Sequence, residues 1–450
     1  MKYTGFLIKF LLVINRIAIL FWEFVFERIS QHKGHLLRGI LIGFAISIVV
    51  TILAFLGHLK PYENPLTDFL QAITYKKAPD VALLFITKKE YKTGFQATSP
   101  LSRQRLVEVV DVLIKLKAKV IALDIDISDT TKEDHKLTEA FRSAAKAGIP
   151  VVVTANLKAV EAIYTLSDDP FTELRPYPIE SDHFTKEGFA LFKSATPGGQ
   201  WEELIMYGGV AFRLDADGIF RHAEAFYMIQ DREAHHPIPS FPVAVAAASL
   251  GMSQKDLDEA FSHLHDHHIT LSGKNNHGQR KITFHIGNGG RITPNFIGNF
   301  EHFDRAVDLE RLLKEYGQGR AQGETIFKDK VVIVGGSYDK KDFYFTPLGR
   351  MTGMEIMANM TQSILSNTLI THTNFWKAFI LEVLLGTMVA LVFVFTSYIW
   401  ATILCFVTII PLVVTASLWS FSVSYYWFDF IPTIAGVMLH GLVSKIEERT

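Results

Sequence analysis

Asp124 and Asp126 stand at and just past the end of a short apolar run, VIALDI, and Gly335-Gly336-Ser337 closes another, VVIVGG. Carboxylates in such places can take a cation or an amine, and the backbone N–H groups of a Gly-Gly-Ser turn can cradle an anion. If both runs are parallel strands, these residues face one crevice, because open α/β sheets bind ligands beyond the carboxyl ends of their strands. Asp342, with Thr346 and Pro347, follows on the next loop and would line the rim. Ordinary structural duties compete for the same residues: Asp124 and Asp126 as helix caps, the glycines as a tight turn, the Asp342 loop as a rigid connection. A small-molecule ligand at Asp124, Asp126, Gly335, Gly336, Ser337 and Asp342 is the expectation, with no cofactor and no metal.

Other chemistry-bearing residues argue less. His263, His265, Asp266, His267 and His268 form a metal-like run, but no second ligand pair follows at a defined spacing, so a solvated loop is expected. His235-His236 precedes a Pro-Ile-Pro turn and reads the same way. Glu382 lies inside an apolar segment, where ionisable groups tend to be functional or paired. Gly335-Gly336-Ser337-Tyr338-Asp339 lacks the last glycine of a nucleophile elbow, and neither a P-loop nor H-E-x-x-H occurs. No enzymatic activity is expected.

The elements that would position these residues alternate. VALLFI (81–86), VIALDI (120–125) and PVVVTA (150–155) read as strands, separated by a helix opening at Ser99-Pro100 and another over Lys132–Lys146. That order predicts parallel pairing with right-handed crossovers. IMYGGVAFRL and IFRHAEAFYMI flank Asp215-Ala216-Asp217-Gly218, turn chemistry that predicts an antiparallel hairpin. Beyond it come helices near 240–250, 309–316 and 353–365 and strands at 281–286 and 331–336. The fold class is thus α/β (α+β), a three-layer domain with a mixed, largely parallel sheet.

Hydrophobic residues make up 49% of the 450, mean hydropathy is +0.20, and the surplus sits at the two ends. Residues 39–57 carry no charge and are long enough for one crossing; no Asp, Glu, Lys or Arg occurs from Val383 to Phe428. Four transmembrane helices are expected, at 39–57, 378–398, 399–421 and 425–444. Arg28, Lys33 and Arg38 before the first and Lys445 and Arg449 after the last place both flanks in the cytoplasm, with 445–450 a short tail. Residues 60–372 then lie outside. The single cysteine, Cys405, falls in a predicted span, so the outer domain folds without a disulfide, which suits a bacterial periplasm and the inner membrane. Residues 1–33 carry Lys2, Lys9, Arg16 and Glu23 at seven-residue spacing, one polar stripe on a helix lying along the cytoplasmic face; a further span over 5–29 is the rival reading. A net charge of −1 excludes a strongly basic nucleic-acid binder.

Four segments resemble the type-two CHASE domain, an extracytoplasmic sensory module of bacterial cyclases, histidine kinases and serine/threonine kinases. They are Pro100-Leu101-Ser102-Arg103 leading to Ala118–Asp124; Asp215-Ala216-Asp217-Gly218-Ile219-Phe220-Arg221; Phe327–Gly336; and Asp342–Pro347 followed by Gly353-Met354-Glu355-Ile356-Met357-Ala358-Asn359. The likeness spans about 60–445. Thr87-Lys88-Lys89 stands where the family's first strand usually ends in acidic residues, and Met357 replaces a common histidine. Family members usually continue into a cytoplasmic catalytic domain, whereas this sequence stops six residues after Ser444.

The resemblance implies an extracytoplasmic sensor that passes a signal through its helices to a separate membrane or cytoplasmic protein. The alternative is a structural subunit or assembly factor of a multi-protein bacterial envelope complex. The expected partners are the lipid bilayer, that protein and a small-molecule ligand, without nucleic acid. A homo-oligomer is compatible with all of this.

Overall fold

A computed structural model of the chain describes residues 33–447 apart from 75–79, 160–190, 196–200, 202, 232–233, 263–267, 276–277, 288–289, 300, 302, 304–305, 318–325 and 339–341. The striped N-terminal segment and most of the 263–268 run lie outside the described residues. The chain divides into two units, residues 68–371 and residues 1–67 with 372–450.

The larger unit is organised by a sheet with nine strands among the described residues: β1 Val81–Ile86, β2 Val120–Asp124, β3 Val151–Ala159, β4 Leu191–Ala195, β5 Met206–Val210, β6 Phe226–Asp231, β7 Ala234–Pro239, β8 Ala306–Asp308 and β9 Val331–Gly336. Their order is β8-β1-β9-β2-β3-β4-β6-β7, with β5 also pairing with β3. The pairs β8/β1, β1/β9, β9/β2, β2/β3 and β3/β5 are parallel, while β3/β4 and β6/β7 are antiparallel. The sheet is mixed and largely parallel, as expected.

Alternation along the strands builds three layers, because successive side chains leave a strand on opposite faces. Val81, Leu83, Val120, Ala122 and Val152 join the helices Phe241–Ser249 and Gly353–Leu365 in one core. Ala82, Leu84, Ile121, Leu123 and Val153 join the helices Arg103–Lys115, Asp134–Lys146 and Leu309–Gly317 in the other. Both faces being covered, β1, β2 and β9 read in sequence as unbroken apolar runs.

Two expectations are corrected. The helix expected to open at Ser99-Pro100 starts at Arg103, because Ser102 caps it and its hydroxyl accepts from the Arg105 N–H at 3.4 Å. The hairpin expected around Asp215–Gly218 does not form. The turn is present, with Gly218 N–H donating to Asp215 O, but β5 pairs with β3 and β6 with β7. Turn chemistry is local, and the flanking strands found better partners elsewhere in the sheet.

The smaller unit is helical. Leu37–Phe55, Phe375–Phe395 and Tyr398–Ser424 are long and apolar enough to cross a membrane, and the last helix, Ile431–Glu447, is shorter. The expected fourth crossing at 425–444 therefore has its helix from Ile431, after a left-handed Tyr425 (φ 54°) and the short strand Tyr426–Trp427. Within the apolar stretch Tyr398–Ser424, Cys405–Ile409 is a π-helical turn two residues ahead of Pro411. Proline offers no N–H to the ladder, so the bonding shifts and Ile410 N–H reaches Cys405 O. The helices Lys33–Phe55 and Phe375–Phe395 meet along small residues. A Cβ on Gly43 would lie 2.9 Å from the Ala390 Cβ and 3.0 Å from Gly386 O, and one on Gly386 would strike the Ser47 hydroxyl.

Candidate functional site

The carboxyl ends of β1, β9 and β2 meet at one edge of the larger unit. Gly335 sits opposite Phe85 on one side and Asp124 on the other, and Gly336 sits opposite Ile86. Ser337 continues that pairing: its N–H and hydroxyl both donate to Ile86 O, at 3.0 and 3.4 Å. Close approach explains the glycines. A Cβ on Gly335 would lie 2.8 Å from the Met354 sulfur, and one on Gly336 would lie 2.4 Å from the Tyr338 ring.

Asp342 belongs to the same edge through the helix Gly353–Leu365. Its carboxylate accepts from the Gly353 N–H at 3.2 Å, at the end of the helix that carries partial positive charge. The helix start is held by a capping box: Glu355 N–H donates to the Thr352 hydroxyl, and the Glu355 carboxylate accepts from the Thr352 N–H at 2.6 Å. Burial, with the negative charge of Asp342 added, pushes the half-buried Asp124 carboxyl up to about 7. This edge thus offers one carboxyl poised between its two forms near neutral pH and a second carboxyl, Asp342, on a helix terminus. Such a pair can take a cation, an amine or a hydrogen-bonding donor.

Asp126, expected at the same place, makes a local contact. Its carboxylate accepts from the N–H and hydroxyl of Ser128, at 2.9 and 2.6 Å, closing a local turn. Thr87, where the resemblance would put an acid, caps the short helix Lys88–Thr93, and Lys89 pairs with Glu310 at 2.6 Å. Tyr91 of that helix stacks on Tyr338, with centroids 4.1 Å apart. Met357 is buried in the core. His268 lies at the start of the strand His268–Asn275 and meets the His285 ring, and among the described residues no group of three His, Cys, Asp or Glu can hold a metal ion.

Three polar clusters were not read from sequence as sites. Arg221, 4% exposed, donates to Asp68 through Nε and Nη2 and to Asp215 and Asp217 through Nη1. Arg103, 1% exposed, reaches Asp134 and the carbonyls of Ile127 and Asp129. Both arginines lie in the quoted motifs, but nothing in a linear motif reports which carboxylates come to meet them. Asn359, the last residue of the Gly353–Asn359 motif, accepts from Ile297 N–H at 2.6 Å and donates to Gly298 O, so it fastens a loop to the buried helix.

In the smaller unit, Glu382 is buried within its helix. The Thr433 hydroxyl donates to its carboxylate at 2.7 Å and the Ser47 hydroxyl to its backbone carbonyl at 2.9 Å, so one acidic residue draws three helices together.

Residues 45–397 match the family model described as CHASE2 domain. Neither a curated protein nor a solved structure matches the chain.

Proposed function

The chain belongs to the CHASE2 domain family, a family of sensory extracellular domains, and from that premise we propose that it is a sensor of the bacterial inner membrane. Its main domain lies in the periplasm, takes a small-molecule stimulus at the crevice of Asp124, Gly335, Gly336, Ser337 and Asp342, and acts by binding, without catalysis. The observation that carries the reading is the contact of Asp342 and Gly335 with the start of the helix Gly353–Leu365, through the Gly353 N–H and Met354. In sequence this helix leads directly to the crossing Phe375–Phe395. A ligand that exchanged a proton with Asp124 or competed for the Gly353 N–H would bear on a capped, fully buried helix, which moves as a body rather than fraying. The signal then passes to a separate membrane or cytoplasmic protein. Binding biases such a relay only through different affinities for two states.

Full-length protein in nanodiscs, screened against metabolites and cell-wall fragments, tests the first half. A ligand whose binding is lost in Asp342→Asn is expected, and a screen without any binder contradicts the reading. Crosslinking with mass spectrometry on native membranes tests the second half. A kinase, cyclase or other effector is expected among the crosslinks, whereas a fixed-stoichiometry envelope complex would make the chain a structural subunit.

A further inference from the structure

A cavity of about 180 Å³ lies wholly within the helical unit, where the helix Lys33–Phe55 ends, the helix Phe375–Phe395 begins and the chain enters its last helix. That is far more room than the roughly 10–15 Å³ one water needs. Three carboxyl groups line it, Glu63, Glu382 and Asp429, and none of its described lining residues is Lys or Arg. Its walls are otherwise largely apolar and include the rings of Phe55, Phe375 and Trp427, the first two packed edge to face at 5.1 Å. Thr51 also lines it; it is 4% exposed, and its buried hydroxyl oxygen has no hydrogen-bond partner.

Each feature narrows the occupant. Three carboxyls in a lining without Lys or Arg, with only Lys60 acting on Glu63 from outside it, ask for positive charge. Aromatic faces favour a soft organic cation over a small hydrated ion. A metal is the poorer fit, since no described group of three ligands can hold one. The unpartnered Thr51 oxygen can accept a hydrogen bond from an N–H donor. We propose that this cavity binds an organic ammonium group, presented either by an aminated lipid headgroup or by a free aliphatic amine. The site has its own residues and does not depend on the ligand of the outer domain.

Protonation eases the charge problem among these carboxyls. Burial, then the hydrogen bond and charge of Asp429, push the Glu63 carboxyl up to about 9, against the smaller opposing effect of Lys60. An entering ammonium replaces that proton.

The test uses the full chain in two sets of nanodiscs, phosphatidylglycerol alone or mixed with phosphatidylethanolamine. In the first set, n-propylammonium should raise the melting temperature in a saturable way and its neutral isostere 1-propanol should not. In the second, native mass spectrometry should find phosphatidylethanolamine retained over phosphatidylglycerol. Asp429→Asn should weaken either effect about tenfold, the loss of one charge-assisted contact, and Thr51→Val less. Protection by the free amine alone assigns a soluble ligand, and retention of phosphatidylethanolamine alone assigns a lipid. If wild type responds to neither, or responds equally to the neutral alcohol, the proposal is overturned. The wild-type arms stand even where a variant fails to fold.

Discussion

Arg221 grips Asp68 with both prongs of its guanidinium, Nε at 2.9 Å and Nη2 at 2.8 Å, while Nη1 holds Asp215 and Asp217 of the neighbouring turn. One cation thereby satisfies three carboxylates. Asp68 lies on the helix Lys60–Ile73, and the fork fixes that part of the helix to the Asp215–Arg221 turn. Replacing Arg221 by Met leaves three carboxylates facing one another, at a cost of about 3–5 kcal/mol. Arg221→Lys should recover little, because a point charge cannot make the bidentate contact. Asp68→Asn should cost less, about 1–3 kcal/mol, since the other two acids remain. Urea unfolding of the purified chain ranks the three; a Lys variant as stable as wild type would contradict the role given to the fork.

Asp134 gives a prediction with the opposite pH sense from most of the fold's raised acids. Burial works against its charge, but hydrogen bonds from Thr131 and Arg103 outweigh it and hold the carboxyl below its ordinary value. A depressed carboxyl contributes stability above its unfolded value, near 4, and loses it as pH falls through the folded one. Asp134→Asn should therefore cost stability at neutral pH, about 3 kcal/mol with Arg103 left buried. It should also flatten the acid limb of the stability profile. Melting curves from pH 3 to 7 read both effects.

Asp124 runs the other way. Its carboxyl, raised to about 7, keeps a proton that the unfolded chain releases near 4, so the native state binds more protons between those values. Stability tied to it is complete below about pH 4 and is lost as pH rises through 7. Asp124→Asn should match wild type at pH 4 and exceed it at pH 8, by about 2 kcal/mol after allowing for the water a half-buried carboxyl still meets. A variant less stable than wild type at both ends would mean that the carboxylate form is held by a partner.

These clusters mark where sequence stops being informative. The strands Val81–Ile86 and Val331–Gly336 coincide with the apolar runs because both their faces are buried, and burial on two faces writes itself as an unbroken run. Gly335, Gly336 and Ser337 could be placed beside Asp124 from the parallel order alone. Asp126 could not be separated from Asp124, since only the backbone path shows it turning to Ser128. The Asp215–Gly218 turn misled because its residues announce a reversal, whereas pairing is decided by strands far away in sequence. Arg221 sat in plain view, and its meaning lay in Asp68, more than a hundred residues earlier.

Close backbone contact supplies a fourth prediction. A Cβ on Gly208 of β5 would lie 2.5 Å from the Phe241 Cα and 2.6 Å from its nitrogen, where the helix Phe241–Ser249 crosses the strand. Backbone cannot rotate away as a side-chain tip can. Gly208→Ala should therefore cost about 2–3 kcal/mol, as overpacking does, although alanine is otherwise the mildest of substitutions. Thermal melts decide it, and an unchanged midpoint would show that helix and strand can part without penalty.

The pairing of the two apolar helices Lys33–Phe55 and Phe375–Phe395 was present in the sequence but is invisible to hydropathy. Gly39, Gly43 and Ser47 recur every four residues on one face of the helix Lys33–Phe55, and they meet Val394, Ala390 and Gly386 of the helix Phe375–Phe395. For helices apolar enough to cross a membrane, lipid would give no hydrophobic drive to associate, so close packing of small residues and a few hydrogen bonds are what holds this pair. Gly43→Leu would force the helices apart and draw the Ser47 hydroxyl from Glu382 O, now 2.9 Å away. The expected loss is about 2 kcal/mol of helix association, read as a lower melting temperature in detergent and a weaker crosslink between cysteines placed on the two helices. Gly57→Ala, past the end of the same helix at φ +80°, strains the turn without entering that contact. It should leave the crosslink intact, which separates lost packing from a general loss of stability.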